Sequence, residues 1–197
     1  MQVVLASGNA GKLAEFKSLL ADTPFEVIAL STVVPDFEMP EETGTTFIEN
    51  ALIKARAAAA ATGLAALADD SGLVVPGLDG APGIYSARYA GKHGDDAANN
   101  QKLIEALTGK EQRQAYFYCA ITLLRHDRDP TPIIATAAWH GEILYAPRGE
   151  QGFGYDPLFF IKDENKTSAE LPRELKNRLS HRGQATALLL QEIRAGL

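Results

Sequence analysis

Short apolar runs, each broken by a glycine-rich or acidic turn, alternate along this chain with stretches of helical periodicity. Val3-Val4-Leu5-Ala6 is the kind of run a buried strand shows, and Ser7-Gly8-Asn9-Ala10-Gly11-Lys12 interrupts it. Beyond it Leu13, Phe16, Leu19 and Leu20 recur at helical spacing, with Glu15, Lys17 and Ser18 facing the other way. The first twenty residues thus predict strand, glycine loop, helix. A second strand, Phe25 to Leu30, follows the turn Asp22-Thr23-Pro24. From Thr46 to Thr62 the spacing predicts a helix, in which Phe47, Ala51, Ile53 and Ala55 lead into the alanines Ala57 to Ala61 and Gly63 ends the run.

Leu64 to Ala68 predicts the next strand, ending in Asp69-Asp70-Ser71-Gly72, and Leu73-Val74-Val75 continues apolar. Gly77 to Gly94 is rich in glycine and predicts an ordered loop with little regular structure. A helix starts at Asp95 and stops at Gly109, and Gln114 to Arg125 and Pro132 to Tyr145 predict two adjacent antiparallel strands joined by the turn His126 to Pro130. Leu158 to Ile161 reads as a further strand, followed by a polar connector and a last helix from Gln184 to Arg194.

The length, 197 residues, suits one sizeable α/β core, and 46% hydrophobic with 22% charged residues are globular values. A net charge of −6 excludes a sequence-independent nucleic-acid binder, which needs a basic excess, and suits an enzyme that brings magnesium to a polyphosphate. The lone Cys119 excludes an internal disulfide and a zinc cluster, and its apolar surroundings predict a buried, inert thiol. Neither a signal peptide nor an eighteen-residue apolar run is apparent, so a cytoplasmic protein with no membrane partner is expected.

Four stretches carry candidate chemistry. In the glycine loop, Gly8 and Gly11 let backbone approach a phosphate, while helix-start N–H groups, the Ser7 hydroxyl and Lys12 supply positive potential. The spacing is shorter than a Walker loop, and Leu13 stands where the magnesium-binding hydroxyl would be, so a plain strand-to-helix turn is the competing reading. Asp69 and Asp70, expected at the carboxyl end of a strand, sit where α/β sheets bind ligands; adjacent strand residues point oppositely, so one can face a site while the other orients it, unless the pair only caps a turn. Gly149 to Pro157 reads GEQGFGYDP, an aromatic-Gly-aromatic-acid series suited to stacking on a planar ring and meeting its edge. His181 and Arg182, cations at a helix start, oppose its dipole and so call for a partner beyond the helix. The acidic stretch Pro35 to Gly44 holds four carboxylates and reads equally as a solvated loop.

Together, SGNAGK at Ser7 to Lys12, EETGTTFIENALIKA at Glu41 to Ala55, ADDSGL at Ala68 to Leu73, GAPGIYSARYAG at Gly80 to Gly91, GFGYDPLF at Gly152 to Phe159 and SHRG at Ser180 to Gly183 resemble the bacterial inosine triphosphate pyrophosphatase family, the non-canonical purine nucleoside triphosphatases. The resemblance implies a single domain over residues 1–197, α/β in class: a long mixed β-sheet flanked by helices in two lobes with a central cleft holding the active site. It implies a homodimeric, Mg2+-dependent enzyme that cleaves dITP, ITP or XTP between the α and β phosphates. By position it makes Asp70 the base and a metal ligand, and assigns Ser7, Gly8, Asn9, Ala10, Gly11 and Lys12 to the triphosphate and Ser71 to substrate. Phe153, Gly154, Tyr155, Asp156, Lys176, His181 and Arg182 would contact the nucleotide, chiefly its base. The resemblance also gives Glu41 as the second metal carboxylate, with Glu49 and Asp69 as competitors; Pro172 and Leu175 depart from the family pattern before Lys176. A nucleotide sensor without activity and a Maf-type pyrophosphatase are the rival readings.

Overall fold

The computed structural model describes residues 1–196. Along the chain run β1 (Gln2–Leu5), α1 (Ala10–Leu19), β2 (Glu26–Ala29), α2 (Leu30–Val33), α3 (Phe47–Thr62), β3 (Ala65–Val74), α4 (Asp96–Ala106), β4 (Gln114–Leu124), β5 (Ile133–Ile143), β6 (Phe159–Ile161), β7 (Lys166–Thr167), α5 (Arg173–Leu179) and α6 (His181–Gly196). The strands form one mixed sheet in the order β2-β1-β3-β4-β5-β6-β7, parallel from β2 to β3 and antiparallel from β5 to β7. This is the α/β class expected. The chain packs as two compact units, one of residues 1–70, 119–137 and from Arg182 onward, the other of residues 71–118 and 138–181.

In the first unit β1 lies between β2 and β3, with Val3 opposite Val27 and Ala65, and both its faces are covered. Val3 and Leu5 join Phe16 and Leu20 from the α1 side and Ala185 and Leu189 of α6. Val4 and Ala6 pack with Ala55, Ala58 and Ala59 of α3. A strand buried on both faces reads as an unbroken apolar run, and the small alanines bring α3 against it. Helix α3 starts in a capping box, Thr46 accepting from the Glu49 N–H while Glu49 answers the Thr46 N–H, and Gly63 closes it at φ +66°.

In the second unit Leu73, Leu103, Leu107, Phe117, Trp139, Leu158 and Phe159 share a core. The Phe117 and Phe159 rings lie 4.6 Å apart. Fully buried Arg113 donates to the carbonyls of Leu107, Ile143 and Leu144, tying the end of α4 to the end of β5.

Several boundaries differ from the sequence reading. β3 does not end at Ala68 but continues through the aspartates to Val74, because each carboxylate finds a cation on its own face of the sheet. The second strand stops at Ala29, and Leu30 opens the short α2. The Gly77–Gly94 loop contains 3-10 turns at Pro76–Leu78 and Gly83–Arg88. The polar connector holds α5, in which only Leu175 and Leu179 pack against the second core, too sparse a stripe to announce a helix. α6 begins at His181, three residues before Gln184.

Candidate active site

The glycine loop joins β1 to α1 as expected. Asn9 caps the helix, its Oδ1 accepting from the Lys12 N–H at 3.1 Å, and the Ser7 Oγ accepts from the Asn9 N–H at 3.1 Å. The Ser7 hydroxyl oxygen is thus engaged within the loop. Gly8, Asn9, Ala10 and Gly11 are exposed, while the Lys12 side chain turns inward to place its Nζ 3.1 Å from Asp69 Oδ2.

Alternation along β3 decides the surroundings of the two aspartates. Leu67 faces the α1 and α6 side and Ala68 the α3 side, and Asp69 and Asp70 extend the same two rows. Asp69, 1% exposed, accepts from Arg182 Nε at 3.1 Å and Nη2 at 3.0 Å as well as pairing with Lys12. Arg182 also donates through Nη1 to Glu15 at 2.6 Å, so the partner expected for a cation at the start of α6 is present, and it is double. Burial alone would raise the Asp69 carboxyl, but the charges of Lys12, Arg182 and Lys54 outweigh it and hold the group well below the usual carboxylate range.

Asp70 faces α3. Its Oδ1 pairs with Lys54 Nζ at 2.8 Å, and its Oδ2 accepts from Asn50 Nδ2 at 3.4 Å; Asn50 and Lys54 sit one turn apart on the same helix face. Burial pushes the Asp70 carboxyl up, a shift that Lys54 only partly offsets. Lys54 in turn is held protonated: its own burial would lower it, but Asp70, Asp69 and Glu42 outweigh that. The acidic loop enters here through Glu42, whose Oε1 lies 2.9 Å from Lys54 Nζ, and through Gly44, whose N–H donates to Asn50 Oδ1 at 2.9 Å.

Of the carboxylates weighed as a second metal ligand, Glu41 is exposed in the acidic loop. Glu49 is spent on the helix cap, where the Thr45 and Thr46 hydroxyls and N–H groups surround its Oε2 and lower its pKa. Asp69 is committed to Lys12 and Arg182. Asp70 and Glu42 instead offer oxygens to one shared cationic position, that of Lys54 Nζ. No cage of three or more His, Cys, Asp or Glu side chains exists among the described residues. Two carboxylates fit magnesium, which keeps most of its waters and takes its remaining ligands from a phosphate substrate.

The second unit carries the GFGYDP loop. Asp156, buried, accepts from the Phe153 N–H at 2.8 Å, from Ser168 Oγ at 2.7 Å and from Lys176 Nζ at 2.5 Å. Gly152, at φ +85°, leaves no room for a side chain, since a Cβ would collide with the Asp156 carboxylate and come within 3.0 Å of Lys176 Nζ. The Lys176 ammonium lies 5.2 Å from the centre of the Phe153 ring, which is half exposed. The two aromatics of the series part company: Tyr155 is buried with its hydroxyl donating to the Ser86 carbonyl at 2.8 Å, so Phe153 alone presents a stacking face. His181 stacks on Phe117, centroids 4.9 Å apart and planes 13° from parallel.

The structure therefore gathers the sequence candidates into three groups: Lys12, Asp69 and Arg182; Asp70 with Lys54 and Glu42; and Phe153, Asp156 and Lys176. Arg182 joins the glycine loop's lysine rather than Lys176. Ser71 follows on β3, partly buried. Cys119 is buried and its thiol is pushed up by that burial, as expected of an inert side chain. Lys54, Asn50, Glu42, Glu15 and Ser168 were not singled out from the sequence as site residues; the signals present were the Asn50–Lys54 spacing on an otherwise alanine-rich helix and the place of Glu42, Asn50 and Lys54 within the EETGTTFIENALIKA segment.

Comparison with known proteins agrees over nearly the whole chain. The model of the Ham1 family matches residues 3–192. A dITP/XTP pyrophosphatase of Shigella flexneri is 54% identical over 197 residues, covering 99% of each chain, and one of Nitrosomonas europaea is 54% identical over 191 residues, covering 96% of this chain and 93% of the relative. Among solved structures, a HAM1 protein from Coxiella burnetii superposes with a TM-score of 0.93 at 47% identity, and the Staphylococcus aureus Ham1 protein with 0.89 at 43%, each covering 100% of both chains. The chain belongs to the Ham1 family.

Proposed function

We propose that this protein is a nucleoside-triphosphate pyrophosphatase that hydrolyses dITP, ITP and XTP to the monophosphate and pyrophosphate. The observation that carries this reading is the pair of neighbouring aspartates in opposite environments: Asp69 held between Lys12 and Arg182, Asp70 facing α3 with Lys54 and Asn50 and raised by burial. The relatives named dITP/XTP pyrophosphatases support the substrate class. Catalysis of phosphoryl transfer is mostly positioning and charge neutralisation, and the substrate carries about four negative charges. Backbone N–H groups of Gly8, Ala10 and Gly11 and the Lys12 ammonium meet the phosphates. A water attacks the α-phosphorus, its proton passes to the Asp70 carboxylate, and the bond to the oxygen bridging the α and β phosphates breaks, its electron pair leaving with pyrophosphate. A carboxylate raised toward working pH is the better base, and Lys54 and Asn50 hold it in place.

Magnesium would be held by Asp70 and by a carboxylate of the acidic loop, for which the resemblance gives Glu41 and the shared Lys54 favours Glu42. When bound it neutralises phosphate charge. The base falls to the second unit: Phe153 stacks, and Lys176, with His181, supplies donors to the 6-oxo group of hypoxanthine and xanthine. Adenine presents an amino group there, which leaves such donors unmatched; rejection on that ground reaches roughly 10⁴-fold. We infer a cytoplasmic homodimer that clears deaminated purines from the precursor pool. Among the described residues no helix is long and apolar enough to cross a membrane. The test is pyrophosphate release from ITP, dITP, XTP, GTP and ATP, with Mg2+ and with a chelator. ITP and XTP are expected to lead and the chelator to abolish turnover; ATP in first place overturns the reading.

A further inference from the structure

We propose that Asp96 and Asn100 of α4 are positioning residues that set the base-reading loop by gripping both backbone polar groups of Gly154. The inference rests on the reading that Phe153 stacks on the purine beside Lys176. Asp96 Oδ2 accepts from the Gly154 N–H at 2.7 Å, and Asn100 Nδ2 donates to the Gly154 carbonyl at 2.8 Å. The same Asn100 amide donates to the Asp96 carbonyl at 2.8 Å, four residues back on the helix. Both neighbours of that amide are carbonyl oxygens, so its nitrogen must face them, and the orientation follows from the partners. Asp96 and Asn100 stand one turn apart and thus share a helix face.

Gly154 has open space where a Cβ would be, so volume does not require glycine there; its φ of +62° does. A glycine so free needs outside contacts to hold a single conformation, and the two side chains fix the peptide planes on either side of its Cα. The plane before it belongs to Phe153, whose own N–H is held by Asp156. The plane after it leads to Tyr155, anchored on the Ser86 carbonyl. Helix α4 thereby determines where the exposed Phe153 ring stands relative to Asp156 and Lys176. Asn99, the residue before Asn100 on the same helix, does the same for the GIYSARYAG segment, accepting from the Ala90 N–H at 2.7 Å and donating to the Ala87 carbonyl at 3.4 Å. The Asp96-Ala97-Ala98-Asn99-Asn100 run therefore organises two of the segments that carry the family resemblance without belonging to either.

The test is steady-state kinetics with ITP and ATP for Asp96→Ala, Asp96→Asn, Asn100→Ala and Asn100→Asp. Loss of one such hydrogen bond is expected to raise KM for ITP about five- to tenfold with kcat little changed, and to narrow the preference for ITP over ATP. Asp96→Asn keeps an acceptor for the Gly154 N–H and should restore the wild-type KM, whereas Asn100→Asp loses the donor and should behave as Asn100→Ala. If Asp96→Asn is as impaired as Asp96→Ala, the carboxylate acts through its charge at the helix start and the proposal is wrong. Asp96 is exposed, so its variants keep the test decisive should Asn100→Ala fail to fold. Phe153→Ala and Lys176→Ala run alongside: if they shift the ITP preference and the α4 variants do not, positioning alone fails. If Phe153→Ala and Lys176→Ala leave it unmoved, the base reading and this proposal fall together.

Discussion

Asp69 and Asp70 are adjacent on β3, point to opposite faces of the sheet, and are held in opposite protonation tendencies, one by two cations and the other by burial that one lysine only partly offsets. Their substitution should separate stability from activity. Asp70→Asn removes the base and should lower kcat by about 10²–10⁴ without lowering the unfolding midpoint. Asp69→Asn leaves Arg182 and Lys12 without their buried anion and should cost about 3–5 kcal/mol of stability. Urea unfolding and ITP turnover on the two variants check this; an active Asp70→Asn removes the assignment.

The same pair fixes a pH dependence. A carboxyl lowered on folding contributes stability that is complete above its ordinary value of 3.8 and is lost as pH falls below it toward the native value. Asp69 is that case. The stability gap between wild type and Asp69→Asn should therefore be constant at neutral pH and shrink as the pH drops below about 3.8. Asp70 has the opposite sign: its raised native value means that folding binds a proton more readily, so its ionisation works against stability above 3.8. Asp70→Asn should accordingly narrow the stability difference between about pH 4 and about pH 7. Unfolding free energies measured on all three proteins from about pH 2 to pH 7 decide both points.

What could be read from the sequence was whatever the chemistry concentrates locally. The glycine loop, the aspartate pair and the GFGYDP stretch combine turn residues with charge or aromatic rings over a few positions; the glycine loop joins strand to helix as its pattern predicts and the aspartates face opposite ways as alternation predicts, though within β3 rather than at its end. Partners brought in from afar were hidden. Arg182 reaches Asp69 across 113 residues, and only the general expectation that a cation at a helix start needs company foreshadowed it. Lys54 sits in an alanine-rich helix, where one lysine reads as a solvated face; it is buried because Asp70 and Glu42 converge on it. Phe153 and Tyr155 look alike in sequence, and what separates them is the Ser86 carbonyl, 69 residues away from Tyr155. The continuation of β3 was missed for the same reason: two charges end a strand only when nothing nearby neutralises them.

The shared contact of Asp70 and Glu42 with Lys54 bears on the metal requirement. Activity should vanish on chelation and return with MgCl2. Glu42→Gln should raise the magnesium concentration needed for half-maximal rate by about tenfold or more, a typical effect of disturbing a metal's surroundings. Glu41→Gln, at an exposed position, should shift it much less. Magnesium titrations of the two variants in parallel test the choice, and the reverse ranking would restore Glu41 as the ligand.

Phe153 and Tyr155 give the last contrast, because one ring is free to meet a ligand and the other is spent on the fold. Stacking of a base on an aromatic side chain is worth about 1–3 kcal/mol by alanine substitution, so Phe153→Ala should lower kcat/KM for ITP by roughly ten- to a hundredfold. Half of that ring is already in water, and the thermal midpoint should barely move. Tyr155→Phe deletes one buried hydrogen bond to the Ser86 carbonyl and should cost about 1 kcal/mol of stability, with turnover at saturating ITP close to wild type. Thermal denaturation and ITP kinetics on the pair give a crossed outcome: activity lost without stability for Phe153, stability lost without activity for Tyr155. A Phe153→Ala enzyme with wild-type affinity would mean that the purine does not rest on this ring.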